Sequence, residues 1–180
     1  MTDLRTNENA YLAGNFAPLP EETTAFDLPV VQGAIPEELT GRYLRIGPNP
    51  LDPDPSTHHW FTGTGMVHGI RLDGGRAEWY RSRFVRGGSI LDQKGWPDPG
   101  GPTGAMEGAV NTNVIGLAGR TFACVEAGSH PIELTDELET MHRADFGAAD
   151  TPGIAGPFSA HPKRDPDTGD LHVAAYFFGW

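Results

Sequence analysis

Seven histidines are the residues of this chain with the most chemistry to offer: His58, His59, His68, His130, His142, His161 and His172. A neutral imidazole binds transition metals and moves protons near neutral pH. The single cysteine, Cys124, can build neither an internal disulfide nor a cysteine-rich zinc site. No HExxH, CxxC or HxD spacing occurs, so no local stretch is a metal motif by itself. His58 and His59 are adjacent, and a strand would aim them at opposite faces, so a loop suits them better than joint ligation. His68 lies in the alternating segment MVHGIRL and reads as a hydrogen-bonded sheet histidine. His161 differs, because Pro162 disfavours helical backbone before it. An extended, restrained imidazole loses less freedom on binding a metal. On pattern alone, a histidine in a structural turn remains the simpler reading. Glu126 closes the apolar run TFACVE; a carboxylate buried there would need a donor such as an imidazole N–H. Gly63, Gly65 and Gly69 precede neither a helix nor GK[ST], which argues against a phosphate loop, and no GxSxG supports a serine nucleophile.

The elements that must hold these residues are strands. With 24 glycines and 16 prolines in 180 residues, the chain suits many short strands joined by tight turns. Prolines 18, 20, 29 and 36 keep residues 1–40 from forming a long helix; they read as an extended arm packing across a preformed surface, with a short turn at 36–39. Residues 41–180 read as the first hairpins of an all-β domain. A strand at 42–46 is expected to stop at Gly47 and Pro48. Strands at 66–72 and 77–85 flank Asp73-Gly74-Gly75, and strands at 113–117 and 121–126 flank Ala118-Gly119-Arg120, both hairpin signals. A third reversal at 165–169 leads into an apolar strand at 171–178. Residues 134–141 read as a short helix or a turn. Antiparallel hairpins at this spacing suggest a sandwich, barrel or propeller. The loops at 49–65 and 87–108 are long enough to expect function in them. Because the chain stops in the aromatic stretch AAYFFGW (174–180), it reads as the N-terminal piece of a longer protein.

Composition removes several functional classes. The chain carries 13 basic and 24 acidic residues, a net charge of −11, which repels phosphate and argues against nucleic acid as a partner. Its densest basic stretch, YRSRFVR (80–86), reads as one exposed strand face. No apolar run reaches 18 residues and the polar N-terminus shows no signal peptide, so the expected setting is cytoplasmic.

Five segments, in order, make the reading specific: GRYLRIGPNP (41–50), HWFTGTGMVHGIRL (59–72), YRSRFVR (80–86), NTNVIGLAGRTFACVEAGSHPIELTDELET (111–140) and FSAHPKRDPDTGDLH (158–172). Together they resemble the carotenoid cleavage oxygenases, a family that includes stilbene-cleaving dioxygenases and the retinoid isomerase. The resemblance spans residues 15–180. It implies the N-terminal blades of a seven-bladed β-propeller, incomplete here, whose axis holds Fe(2+) on four histidines.

His161, in SAHPK, matches the first of those ligands, and the other three are expected beyond Trp180. Glu126 matches a glutamate that accepts a hydrogen bond from an iron-bound imidazole, and its partner is expected among the histidines beyond Trp180. The implied reaction is cleavage of a conjugated carbon–carbon double bond by O2 into two carbonyl products. The implied partners are an apolar polyene and O2, and transient membrane contact is compatible with collecting such a substrate. Phe61, Met66 and Phe84 read equally as tunnel lining or core. Thr62 and Thr64 replace two acids common in the family, which alters a loop and no ligand. Val125 and Phe84 occupy places where the stilbene-cleaving branch carries a lysine and a tyrosine, which disfavours a hydroxystilbene. The alternatives are a non-catalytic propeller binding module and isomerase chemistry on the same iron scaffold. With one ligand of four, this chain alone is expected to bind iron weakly and to be inactive.

Overall fold

A computed structural model describes residues 9–103, 108–126, 129–146 and 158–175. Two four-stranded antiparallel sheets dominate. The first contains β1 (Thr23–Leu28), β2 (Gly41–Asn49), β3 (Thr64–Asp73) and β4 (Arg76–Phe84), in the spatial order β1-β4-β3-β2. The second runs β5 (Asn113–Leu117), β6 (Arg120–Cys124), β7 (Ile132–Leu134) and β8 (Thr140–Arg143), side by side in chain order. A two-stranded ribbon, β9 (Lys163–Arg164) with β10 (Leu171–His172), follows. These are blades of an incomplete seven-bladed β-propeller.

Both hairpin turns have the backbone that a two-residue reversal requires. Gly74 and Gly75 have φ of 50° and 76°, and Ala118 and Gly119 have 50° and 75°. Positive φ at both central residues matches the right-handed twist of the flanking strands. Within the Pro-rich first forty residues, Thr23–Leu28 pairs with β4 from Thr23↔Ser82 to Leu28↔Ala77. That part of the arm is therefore the outer strand of the first sheet.

One expected strand boundary needs correction. The strand expected to end before Gly47 continues through Pro48, which pairs with Gly65. It can do so because β2 is an edge strand, where a missing N–H breaks no ladder. Residues 134–141, read as a short helix or a turn, are a turn between strands: Leu134 ends β7, Leu138 turns at φ 68°, and Thr140 begins β8. Short strands with a bulge between Glu133 and Leu134 hide the alternation that marks a hairpin. The long loop after β4 carries a short helix, α1 (Ile90–Lys94), closed by left-handed Gly95. Of the strand expected at 171–178, Leu171–His172 is a strand and residues 176–180 lie outside the described residues.

Burial alternates along most of β2, whereas β6 and β7 are buried on both faces. Val67 and Trp79 from the first sheet pack with Ala123, Ile132, Leu134 and Leu138 from the second, forming the seam between the sheets. On the other face of β6, Phe122 and Cys124 pack with Ala144 and Ala160. The arginines of 80–86, expected on an exposed face, instead cross the seam. Arg81 reaches Glu137 and Arg83 reaches Glu139 at 2.6 Å, while Arg42 binds Asp136 at 3.2 Å. The basic stretch thus matches an acidic turn of the neighbouring sheet.

Candidate metal and substrate site

Glu126 follows the end of β6, where Thr112 N–H donates to the Cys124 carbonyl and continues the pairing beyond the strand. His161 lies in the segment between the second sheet and β9. That segment is anchored in two ways: Ala160 is buried beside Phe122 and Cys124, and Asn113 Nδ2 donates to the Ala160 carbonyl at 2.7 Å. The result places His161 Nδ1 2.5 Å from Glu126 Oε1. A carboxylate can only accept, so Nδ1 carries the proton and the second ring nitrogen is left as a metal donor. The sequence reading sought the partner of Glu126 beyond Trp180; in this chain the partner is His161. Buried Ser159 adds a longer contact, its hydroxyl lying 3.3 Å from Glu126 Oε2.

This pair lines a cleft of about 990 Å³. The His161 side chain is 59% exposed and Glu126 29%, so the pair faces open space at the cleft wall. The wall also includes Arg45, His68, Tyr80, Thr112 and Val125. In the same lining, Tyr11, Phe16 and Trp60 stack edge to face, with ring centroids 4.5 Å apart for Phe16–Trp60 and 5.2 Å for Tyr11–Trp60. The N-terminal segment is held there by amide clamps. Asn49 exchanges hydrogen bonds with both the N–H and the carbonyl of Leu19, at 2.7 and 2.8 Å, and Asn9 donates to the His58 carbonyl at 2.8 Å.

The other histidines have separate settings. His58 and His59 lie in the loop preceding β3, where the Thr62 hydroxyl donates to the His59 carbonyl at 2.8 Å, so the threonine substitution organises a turn. His68 in β3 bonds the Tyr80 hydroxyl at 2.8 Å; burial, with the nearby Arg45 charge second, pushes its pKa down to about 4. His130 is buried, His142 contacts Glu133 and His172 contacts Asp165. Among the described residues no three His, Cys, Asp or Glu side chains converge on a metal geometry. The donor chemistry at His161 still fits a metal, as one oriented neutral imidazole. Phe61 lines the cleft, but Met66 and Phe84 are fully buried with Ile90 and are core. Arg45, Tyr80 and the cluster of Tyr11, Phe16 and Trp60 escaped the sequence reading because separate segments supply them; only the two-residue alternation of β2 and β3 hints at the Arg45–His68 neighbourhood.

The fold and this cleft define a class of β-propeller proteins that carry a carboxylate-held imidazole in the cleft wall. The family described as retinal pigment epithelial membrane protein matches residues 16–179, and the chain belongs to this carotenoid cleavage oxygenase family. It is 51% identical over 176 residues to a carotenoid cleavage oxygenase of Mycobacterium tuberculosis, covering 96% of this chain and 34% of that protein. The lignostilbene dioxygenase of Pseudomonas brassicacearum superposes with a TM-score of 0.74 at 28% identity, covering 92% of this chain and 36% of that one. The cobalt-substituted apocarotenoid oxygenase of Synechocystis does so with a TM-score of 0.63 at 30% identity, covering 86% of this chain and 36% of that one. The chain therefore spans about a third of the length of the relatives it matches. No helix among the described residues is long and apolar enough to cross a membrane.

Proposed function

We propose that this chain serves a non-haem Fe(2+) dioxygenase that cleaves a conjugated carbon–carbon double bond of a carotenoid or apocarotenoid. The double bond and O2 together give two carbonyl products. The observation that carries the proposal is the 2.5 Å contact between His161 Nδ1 and Glu126 Oε1 at the wall of a large cleft, in a chain whose relatives are named for this reaction. Ferrous iron, when bound, supplies the activation of O2 that no side chain can provide. His161 would contribute one imidazole, and Glu126 keeps its Nδ1 proton in place and fixes the ring plane.

The cleft supplies orientation. The rings of Tyr11, Phe16, Trp60 and Phe61 offer apolar surface to a long polyene. Val125 stands in the wall where the stilbene-cleaving branch carries a lysine, so that position has no group to grip a phenol. A cytoplasmic setting is part of this reading.

The test uses the full-length protein. His161→Ala should abolish bound iron, and cleavage under labelled O2 should carry label into both carbonyl products. A full equivalent of iron in the variant would remove His161 from the ligand set. A rearranged product free of label would favour isomerase chemistry, and the absence of any turnover a binding module.

A further inference from the structure

Arginines in this acidic chain are almost all engaged. Among the described residues, each of the nine others reaches a carboxylate or a backbone carbonyl. Arg45 is the exception: it is exposed in β2, forms no hydrogen bond or ion pair, and lines the same cleft as His161 and Glu126. Its cross-strand partner in the register is His68, whose Nδ1 bonds the Tyr80 hydroxyl. Directly opposed side chains on neighbouring strands lie side by side, so these three residues form one polar corner of a cleft that also carries the rings of Tyr11, Phe16, Trp60 and Phe61. His68, half-buried and beside the Arg45 charge, stays neutral at pH 7. Glu126 already faces His161. The guanidinium is therefore the free charge at this corner.

We propose that Arg45 binds the carboxylate of an amphipathic polyene acid, whose apolar body lies along the aromatic wall formed by Phe16 and Trp60. This rests on the polyene reading of the cleft and narrows it to substrates with an anionic end. A planar guanidinium matches a carboxylate through two parallel N–H···O bonds, which a neutral ester or alcohol cannot reproduce at full strength. Tyr80, its hydroxyl held by His68 Nδ1, adds one fixed hydroxyl to the same corner. A site built to pair a charged group discriminates against analogues that lack it, because its own polar atoms are then left unpaired.

The test measures binding to the full-length protein by quenching of tryptophan fluorescence, with all-trans-retinoic acid, its methyl ester and the matching alcohol as probes. The acid should bind about 10-fold or more tightly than the ester, the range of a charge-assisted hydrogen bond. Its affinity should fall with rising salt while that of the ester holds. Arg45→Met should bring the acid-to-ester ratio close to one, and Arg45→Lys should keep part of it. Equal binding of acid and ester by the wild type, an undiminished ratio in Arg45→Met, or no binding of any probe would overturn the proposal. If Arg45→Met does not fold, the wild-type ratio and its salt dependence decide alone. Acid-selective binding without cleavage of any polyene supports the Arg45 site and removes the dioxygenase reading; cleavage without acid selectivity does the reverse.

Discussion

Glu126 and His161 are 35 residues apart in sequence, and the fold brings Oε1 of the one to within 2.5 Å of Nδ1 of the other. Neither is placed by its local sequence alone. The glutamate sits where β6 runs out, and the histidine is held by a buried alanine and by an asparagine of β5. The contact is therefore a product of the second sheet as a whole.

Removing the carboxylate while keeping its shape isolates its role. Glu126→Gln in the full-length protein should lower iron affinity by roughly 10- to 100-fold, since the amide no longer fixes the tautomer and raises ligand basicity. Metal titration with a chelator competitor checks this. An unchanged affinity would show that the pair serves packing alone.

The seam between the sheets gives a second prediction. Arg83 has a side chain only 12% exposed, bound to Glu139 at 2.6 Å, and Arg86 reaches the same carboxylate at 3.8 Å. Glu139→Gln leaves a largely buried guanidinium with only the more distant Glu22, at 4.0 Å, as counter-charge and should destabilise by about 1–2 kcal/mol in chemical denaturation. The Arg76–Asp27 pair, with both side chains more than 70% exposed, is the control. Asp27→Asn should change stability by no more than ~0.5 kcal/mol. Equal effects at the two sites would refute the idea that the seam is held electrostatically.

These cases show what the sequence makes legible. The hairpins at Gly74-Gly75 and Ala118-Gly119 are visible because their turn residues are local and the flanking strands alternate cleanly. The β7–β8 hairpin is not, since β7 has three residues and a bulge breaks the period. His161 and Glu126 are legible only through motif resemblance, and their direct contact is not, because it depends on how residues 158–161 settle on Phe122 and Cys124. The purpose of the arginines in 80–86 is equally hidden. Alternation places them on one face but cannot show that the face meets an acidic turn 56 residues away.

Gly65 is a point where the backbone itself decides. A Cβ there would lie 1.9 Å from the Val110 carbonyl oxygen, a backbone atom that cannot swing aside. Gly65→Ala should destabilise by at least ~2–3 kcal/mol and open the approach of 110–112 to β3, on which the cleft wall depends. At Gly116, also in a strand but with nothing within 4 Å, alanine should be tolerated. Urea denaturation of the two variants checks the contrast, and similar losses would mean that β3 and residue 110 do not approach as closely as described.

Burial of Cys124 in the same cluster as Phe122 pushes its thiol up to about 12, so little thiolate exists at neutral pH. In the folded protein it should resist a thiol reagent at pH 8 and react fully once denatured. Rapid labelling under native conditions would show that the face of β6 carrying Ala160, and hence the support beneath His161, opens readily.

Acid should weaken the first sheet through His68. Its folded-state pKa of about 4 lies below the ordinary 6.5, with burial the larger cause and Arg45 the second. The unfolded chain therefore binds a proton that the folded chain refuses between those two values. Stability from this group is fully present above about pH 6.5 and is lost as pH falls toward 4. Tyr80, bonded to the ring at 2.8 Å, can turn its hydroxyl to suit the neutral imidazole but offers no negative charge to a protonated one. The urea midpoint of the full-length protein should drop between pH 7 and pH 5, and His68→Gln, which keeps a polar partner for Tyr80 and cannot titrate, should shrink that drop. If wild type and variant lose stability in parallel over this interval, His68 is not the group that takes up the proton.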